Sequence, residues 1–228
     1  MRNKINTLVM AAVLGCAGVA NATLLSDLIR TGGTITIDDK VFSGFGITSQ
    51  NTALRTQAGE LDVTTSILGG VDILSFTGPL ALDNTLGTST LLGDVTLLYH
   101  VTATGGNKIT MIDQAYTPNG LPGSGQIIIG ETAQNIANGV SANSTLTLVP
   151  TDLIDPASEA GDNLLVVPGQ TDLDVTKDIL ITANAGFVVG LSQVDQSFHQ
   201  NIPDGGLTLA LLGFAMVGVE GLRRKLGK

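Results

Sequence analysis

Few groups in this chain titrate, coordinate or attack. It holds two histidines, one cysteine, 20 acidic and 11 basic residues among 228. His100 follows Tyr99 in a segment of alternating polarity, so one of the two faces inward and the other outward. His199 lies in Gln196–Asn201, which reads as a polar spacer. Serine hydrolysis would use a Gly-x-Ser-x-Gly elbow, and the sequence has none. Paired carboxylates hydrolyse glycosides, but here the acidic residues crowd into turns, the pattern of a solvated charged face. Asp172, Asp174 and Asp178 offer three carboxylates for calcium, and Asp152, Asp155, Glu159 and Asp162 offer four more. Neither the EF-hand spacing nor the Gly-rich nonapeptide repeat accompanies them, so no metal or other cofactor is predicted. These residues point to a non-enzymatic protein.

The elements around them are an export signal, a β domain and a C-terminal anchor. Arg2 and Lys4 precede an apolar run, Leu8 to Val19, that ends in Ala20-Asn21-Ala22. This is the pattern of a signal peptide cut after Ala22, giving residues 1–22. Cys16 leaves with it, so the mature chain has no disulfide. At the other end, Ile202-Pro203-Asp204-Gly205-Gly206 precedes an apolar run, residues 207–222, and then Arg223, Arg224 and Lys225. Such a run reads as a transmembrane helix, and the basic cluster as a stop-transfer signal that keeps the end of the chain cytoplasmic. Its length as a helix is about 24 Å against a hydrocarbon core of about 30 Å, a gap that snorkelling Arg and Lys side chains narrow.

The interval 23–201 suits one domain. Its five basic residues face eighteen acidic ones, a net charge of −13 against −9 for the whole chain. That surface repels phosphate backbones and excludes nucleic acid as a partner. Gly is abundant, Trp is absent, and Thr and β-branched residues dominate. One short helix is predicted over Leu24–Arg30. Strands are predicted over Thr34–Ile37, Lys40–Ile47, Leu61–Ile67, Val71–Thr77, Asp94–Ala103, Lys108–Ala115, Gln126–Thr132, Thr145–Val149, Asn163–Val167, Asp174–Ala183 and Gly186–Phe198. Gly69-Gly70 and Gly105-Gly106-Asn107 mark turns, and Asn184-Ala185-Gly186 predicts a hairpin between the last two strands. Tyr116–Gly125 reads as a long loop and Asp152–Gly161 as an acidic excursion. Many short strands with regular turns predict an all-β fold: a single antiparallel, jelly-roll-like β-sandwich.

The order of motif, apolar run and basic end resembles the PEP-CTERM class of bacterial sorting signals. Ile202-Pro203-Asp204-Gly205-Gly206 is closest to the variant reading Val-Pro-Asp-Ser-Gly, with Gly205 in place of Ser. The opening Leu25-Ser26-Asp27-Leu28-Ile29 and the closing Ser192–Phe198 also resemble the central region of such proteins. The resemblance implies a partner, an exosortase-like membrane transpeptidase that recognises the motif. It also implies export to the cell surface or extracellular matrix. The function expected is therefore that of an exported, non-enzymatic surface protein. The alternative is a carbohydrate-binding module attached to exopolysaccharide. Only Tyr99, Tyr116 and six Phe could serve that alternative as sugar platforms.

Signal cleavage has a direct check. The intact mass and N-terminal sequence of the exported protein should show Thr23 as first residue; a mature chain starting at a lipidated Cys16 would overturn the cleavage site.

Overall fold

The computed structural model describes residues 22–51, 53–54, 57–118, 125–148 and 162–201. Except for Ala22, the expected signal peptide, sorting motif and anchor lie outside them. Among the described residues, no helix is long and apolar enough to cross a membrane.

The chain begins with β1 (Thr23–Leu24) and α1 (Leu25–Thr31), a helix that buries Leu25 and Leu28. Gly32, in the left-handed region at φ 63°, stops it, and the Gly32 and Gly33 amides bond back to Ile29 and Leu28. Eleven strands follow: β2 (Ile35–Ile37), β3 (Lys40–Gln50), β4 (Asp62–Leu68), β5 (Val71–Asp83), β6 (Leu91–Ala103), β7 (Lys108–Pro118), β8 (Gly125–Asn135), β9 (Val140–Leu148), β10 (Asp162–Gln170), β11 (Asp172–Ala183) and β12 (Val188–Asn201). They form two antiparallel sheets. One runs β1-β4-β5-β12-β7-β10 and the other β2-β3-β6-β11-β8-β9.

The last eight strands pair as nested couples: β5 with β12, β6 with β11, β7 with β10, and β8 with β9. This is one long hairpin rolled into two facing sheets, a jelly-roll arrangement. The period-2 pattern explains the layers. On β11, Leu173, Val175, Ile179 and Ile181 are buried, while the Asp and Thr residues between them face outward. Phe42, Phe45, Phe76, Tyr99 and Phe198 meet in the core with ring centroids 5.1–6.4 Å apart. Pairs of this kind contribute about 0.5–1.5 kcal/mol beyond area burial.

Three local expectations are corrected. Gln196–Asn201 is not a spacer: it completes β12, hydrogen-bonded to β7 and in part to β5. Asn184–Gly186 closes no hairpin, because it carries the chain from β11 in one sheet to β12 in the other. Tyr116–Pro118 continue β7 and Gly125 opens β8, so the loop between them is shorter than Tyr116–Gly125. The other strands fall where expected, mostly with longer ends. Gly69-Gly70 does turn β4 into β5, with φ 61° and 83°, as a two-residue hairpin requires.

A chain comprising residues 23–201 should fold alone, with a strand-dominated circular dichroism spectrum and a melting temperature unchanged by reductant. Gly190 gives a sharper check. A Cβ there would lie 2.2 Å from the Leu80 carbonyl oxygen and 2.5 Å from Ala81 Cα, both backbone atoms of β5. Gly190→Ala should therefore cost about 3 kcal/mol in urea unfolding; an unchanged midpoint would contradict this strand spacing.

Candidate functional site

The outer face of the β6-β11-β8 sheet carries a cleft of about 250 Å³ lined by His100, Gln134, Asn135, Ile136, Ala137, Asp172 and Asp174. Strand register builds it. His100 on β6 lies opposite Asp174 on β11, and Asp174 lies opposite Gln134 on β8. Tyr99 next to His100 is buried, so the alternation across this pair is as expected. Asn135 shapes the rim. Its Oδ1 accepts the Ala137 and Asn138 amides, and its Nδ2 donates to Gln170 and to the Asp172 carbonyl, which tie the turn after β8 to the end of β10 and the start of β11.

At the cleft, His100 Nδ1 is 2.8 Å from Asp174 Oδ1, and Nε2 is 3.2 Å from Thr102 Oγ1 and 3.5 Å from Asp172 Oδ1. Thr102 donates to Asp172 Oδ1 at 3.0 Å, and Thr171 to Oδ2 at 2.9 Å. Partial burial pushes the Asp172 carboxyl up. The hydrogen bonds from Thr171 and Thr102 and the charge of His100 outweigh it and hold the group below the ordinary aspartate value. Asp174, His100 and Thr102 have the outline of a nucleophile triad. The outline lacks its key contact: the Thr102 proton goes to Asp172 rather than to His100, so the imidazole does not activate the hydroxyl. The cleft presents acceptors, suited to holding a hydroxyl or ammonium group.

The calcium candidates do not converge. Asp172 and Asp174 share His100, whereas Asp178, four residues further along the strand or about 13 Å, accepts a hydrogen bond from Thr96. Asp162 opens β10 opposite Gln114, and Asp152, Asp155 and Glu159 lie outside the described residues. A different trio meets at one end of the sandwich. Asp38, Asp39 and Asp72 bring their oxygens within 4.8 Å of one another. The fully buried Lys40 ammonium is already there, bonded to Asp39, to Asp72 at 3.3 Å and to Gln200 at 2.5 Å. Burial raises the Asp72 carboxyl despite Lys40; burial also acts on Asp39, but hydrogen bonds from Lys40 and Asn107 bring it down. His199 Nε2 lies 2.5 Å from Asp113 Oδ2, on the opposite sheet from the cleft.

A second group of polar residues lies inside the sandwich. Lys177 on β11 and Glu131 on β8 are register partners with fully buried side chains, 3.7 Å apart. Gln114 on β7 and Gln196 on β12 are register partners in the facing sheet. Lys177 donates to Gln114 Oε1, Gln196 Nε2 donates to Glu131, and Tyr99 donates to Gln196. Burial, helped by the Glu131 charge, pushes the Tyr99 hydroxyl well above its ordinary value, so it stays a donor. This group does not stand out in the sequence. The signal was present: Lys177 falls at an inward position between Val175 and Ile179, and Glu131 at one between Ile129 and Ala133.

The Asp172 environment predicts a pH response. A depressed carboxyl stabilises the fold above the ordinary aspartate value, and that stability is lost as pH falls through the folded value. Urea midpoints should therefore fall as pH drops below about 4. Asp172→Asn should flatten that decline while leaving the circular dichroism spectrum unchanged; an unaltered acid limb would remove Asp172 from the account.

No family model matches this sequence, and no curated protein matches it. Among solved structures, TmCBM61 in complex with beta-1,4-galactotriose is similar, with a TM-score of 0.32 and 10% identity over 74% of this chain and 92% of that one.

Proposed function

We propose that this is an exported, non-catalytic surface protein: a jelly-roll domain, residues 23–201, displayed outside the cell and sorted through the motif 202–206 by an exosortase-like transpeptidase. The observation that carries the reading is the order along the sequence: β12, in which Asn201 pairs with Lys108, is followed by the motif 202–206, the apolar run 207–222 and the basic cluster. Pro203 fixes φ, disfavours helix at Ile202 and brings no amide hydrogen, and Gly205-Gly206 add backbone freedom. An extended, accessible backbone just outside the membrane is what a transpeptidase needs. Arg223, Arg224 and Lys225 hold the end of the chain inside.

The cleft favours a second reading, attachment to matrix polysaccharide. Gln134, Asp172, Asp174 and His100 would bond hydroxyl or ammonium groups while Ile136 packs on a sugar face. The aromatic residues weigh against a stacking platform, because Phe42, Phe45, Phe76, Tyr99 and Phe198 are spent in the core. Binding of the 23–201 chain to neutral and amine-bearing polysaccharides, lost in His100→Ala and Asp174→Asn, would support this reading.

Changing Pro203 and Asp204 to Ala should leave membrane insertion intact but block processing, so full-length protein accumulates in the inner membrane of the native host. Neutralising Arg223, Arg224 and Lys225 should instead release chains to the periplasm or medium. A Pro203/Asp204 variant processed and localised like wild type would end the sorting proposal.

A further inference from the structure

We propose that Lys177 and Gln114 form an autocatalytic amide cross-link between the two sheets, with Glu131 carrying the proton. The inference is independent of the sorting reading. It rests on three side chains that the fold brings together at the centre of the sandwich. Lys177 Nζ donates to Gln114 Oε1 across the gap between sheets, and Glu131 lies beside Lys177 as its register partner, 3.7 Å from Nζ. Both charged side chains have no exposure to solvent. An ion pair sealed in an apolar core is a poor device for stability alone, since apolar residues of similar volume often serve as well or better. The same surroundings suit a reaction. Moving one proton from the ammonium to the carboxylate discharges both groups and leaves a neutral amine against a carbonyl.

The atoms balance without any other reactant. Glu131 takes a proton from Lys177, and Nζ attacks Gln114 Cδ to form the new C–N bond. Glu131 returns the proton to Gln114 Nε2, the Cδ–Nε2 bond breaks and ammonia leaves; Glu131 then takes the second Nζ proton, so the new amide keeps one hydrogen and the carboxyl ends neutral. Gln114 Nε2 reaches Ser144 Oγ at 3.4 Å on the edge strand β9, which gives the leaving nitrogen a path toward solvent. Gln196 is the less suitable acyl group, because Tyr99 holds its oxygen and Glu131 its nitrogen. Lys40, also fully buried and bonded to a glutamine, is shared by Asp39 and Asp72 and faces a half-buried Gln200. That ammonium stays an ion-pair partner. The Lys177–Gln114 link closes a loop between residues 63 apart, which limits the unfolded chain in the way a disulfide would.

The test is a peptide map of the folded full-length protein. Digestion after acidic residues should yield one species joining the Gln114 and Lys177 peptides, lighter than their sum by one ammonia. Trypsin should also fail to cut after Lys177. Glu131→Gln, which keeps the shape but has no carboxylate to carry the proton, should fold and give the two peptides unlinked. Lys177→Arg should do the same. Separate, unmodified peptides from folded wild type would overturn the proposal, whatever the variants do. So would an ammonia loss that maps to Lys40 and Gln200 or to the Asn138-Gly139 turn. A Glu131→Gln protein cross-linked to the wild-type extent would overturn the role of Glu131.

Discussion

A lysine and a glutamate carried through the middle of an apolar sandwich constrain everything around them. Lys177 and Glu131 on one sheet face Gln114 and Gln196 on the other. Strand period is two, so a slip of one residue in β11 would turn Lys177 out and Asp178 in, leaving Glu131 buried against a second carboxylate. Losing one partner of such a buried pair costs about 3–5 kcal/mol, more than most single core contacts contribute. The four polar residues thus select the register of β7, β8, β11 and β12 together, where Val and Ile alone would tolerate alternatives.

The layers were legible because the inward and outward residues alternate so cleanly. Leu173 to Ala183 and Val95 to Ala103 can be read as strands with one apolar face each. The end of β12 was not legible for the same reason. Gln196, Ser197, His199, Gln200 and Asn201 leave Phe198 as the lone apolar residue, and the hydrogen-bond partners of Gln196 and Gln200 lie more than sixty residues away in sequence. Sheet switching hid the topology in turns such as Asn184–Gly186. Local chemistry there specifies a reversal but not which sheet the chain enters. The three-aspartate calcium idea failed on pitch: alternate positions share a face, yet four residues on a strand separate carboxylates too far for one ion.

The two faces of the sandwich divide the work between stability and solubility. The aromatic residues are concentrated in the core, and the outer face of the second sheet carries Thr96, Thr102, Asp172, Asp174 and Asp178 in hydrogen-bonded rows. Two of the four sheet edges are closed by very short strands, β1 and β2, which offer little template for another chain. On the edge strand β10, Pro168 removes one donor from the row. Short or interrupted edges at three of the four sheet ends, together with the acidic surface, disfavour pairing with another chain.

The last strand joins these themes. On the proposed sorting route, any force applied through residues 202–228 enters the domain at β12. That strand is central in its sheet, hydrogen-bonded to β5 on one side and β7 on the other, and Phe198 anchors it in the aromatic cluster. Gln196 pairs with Gln114 on β7, and Gln114 meets Lys177 of the opposite sheet. Load arriving from the tail would therefore reach both sheets within one strand pairing. Backbone ladders share such load in parallel only while register holds, and the buried polar group is what holds it. A domain tethered by its final strand has most to gain from placing its strongest inter-sheet contact one strand away from that tether.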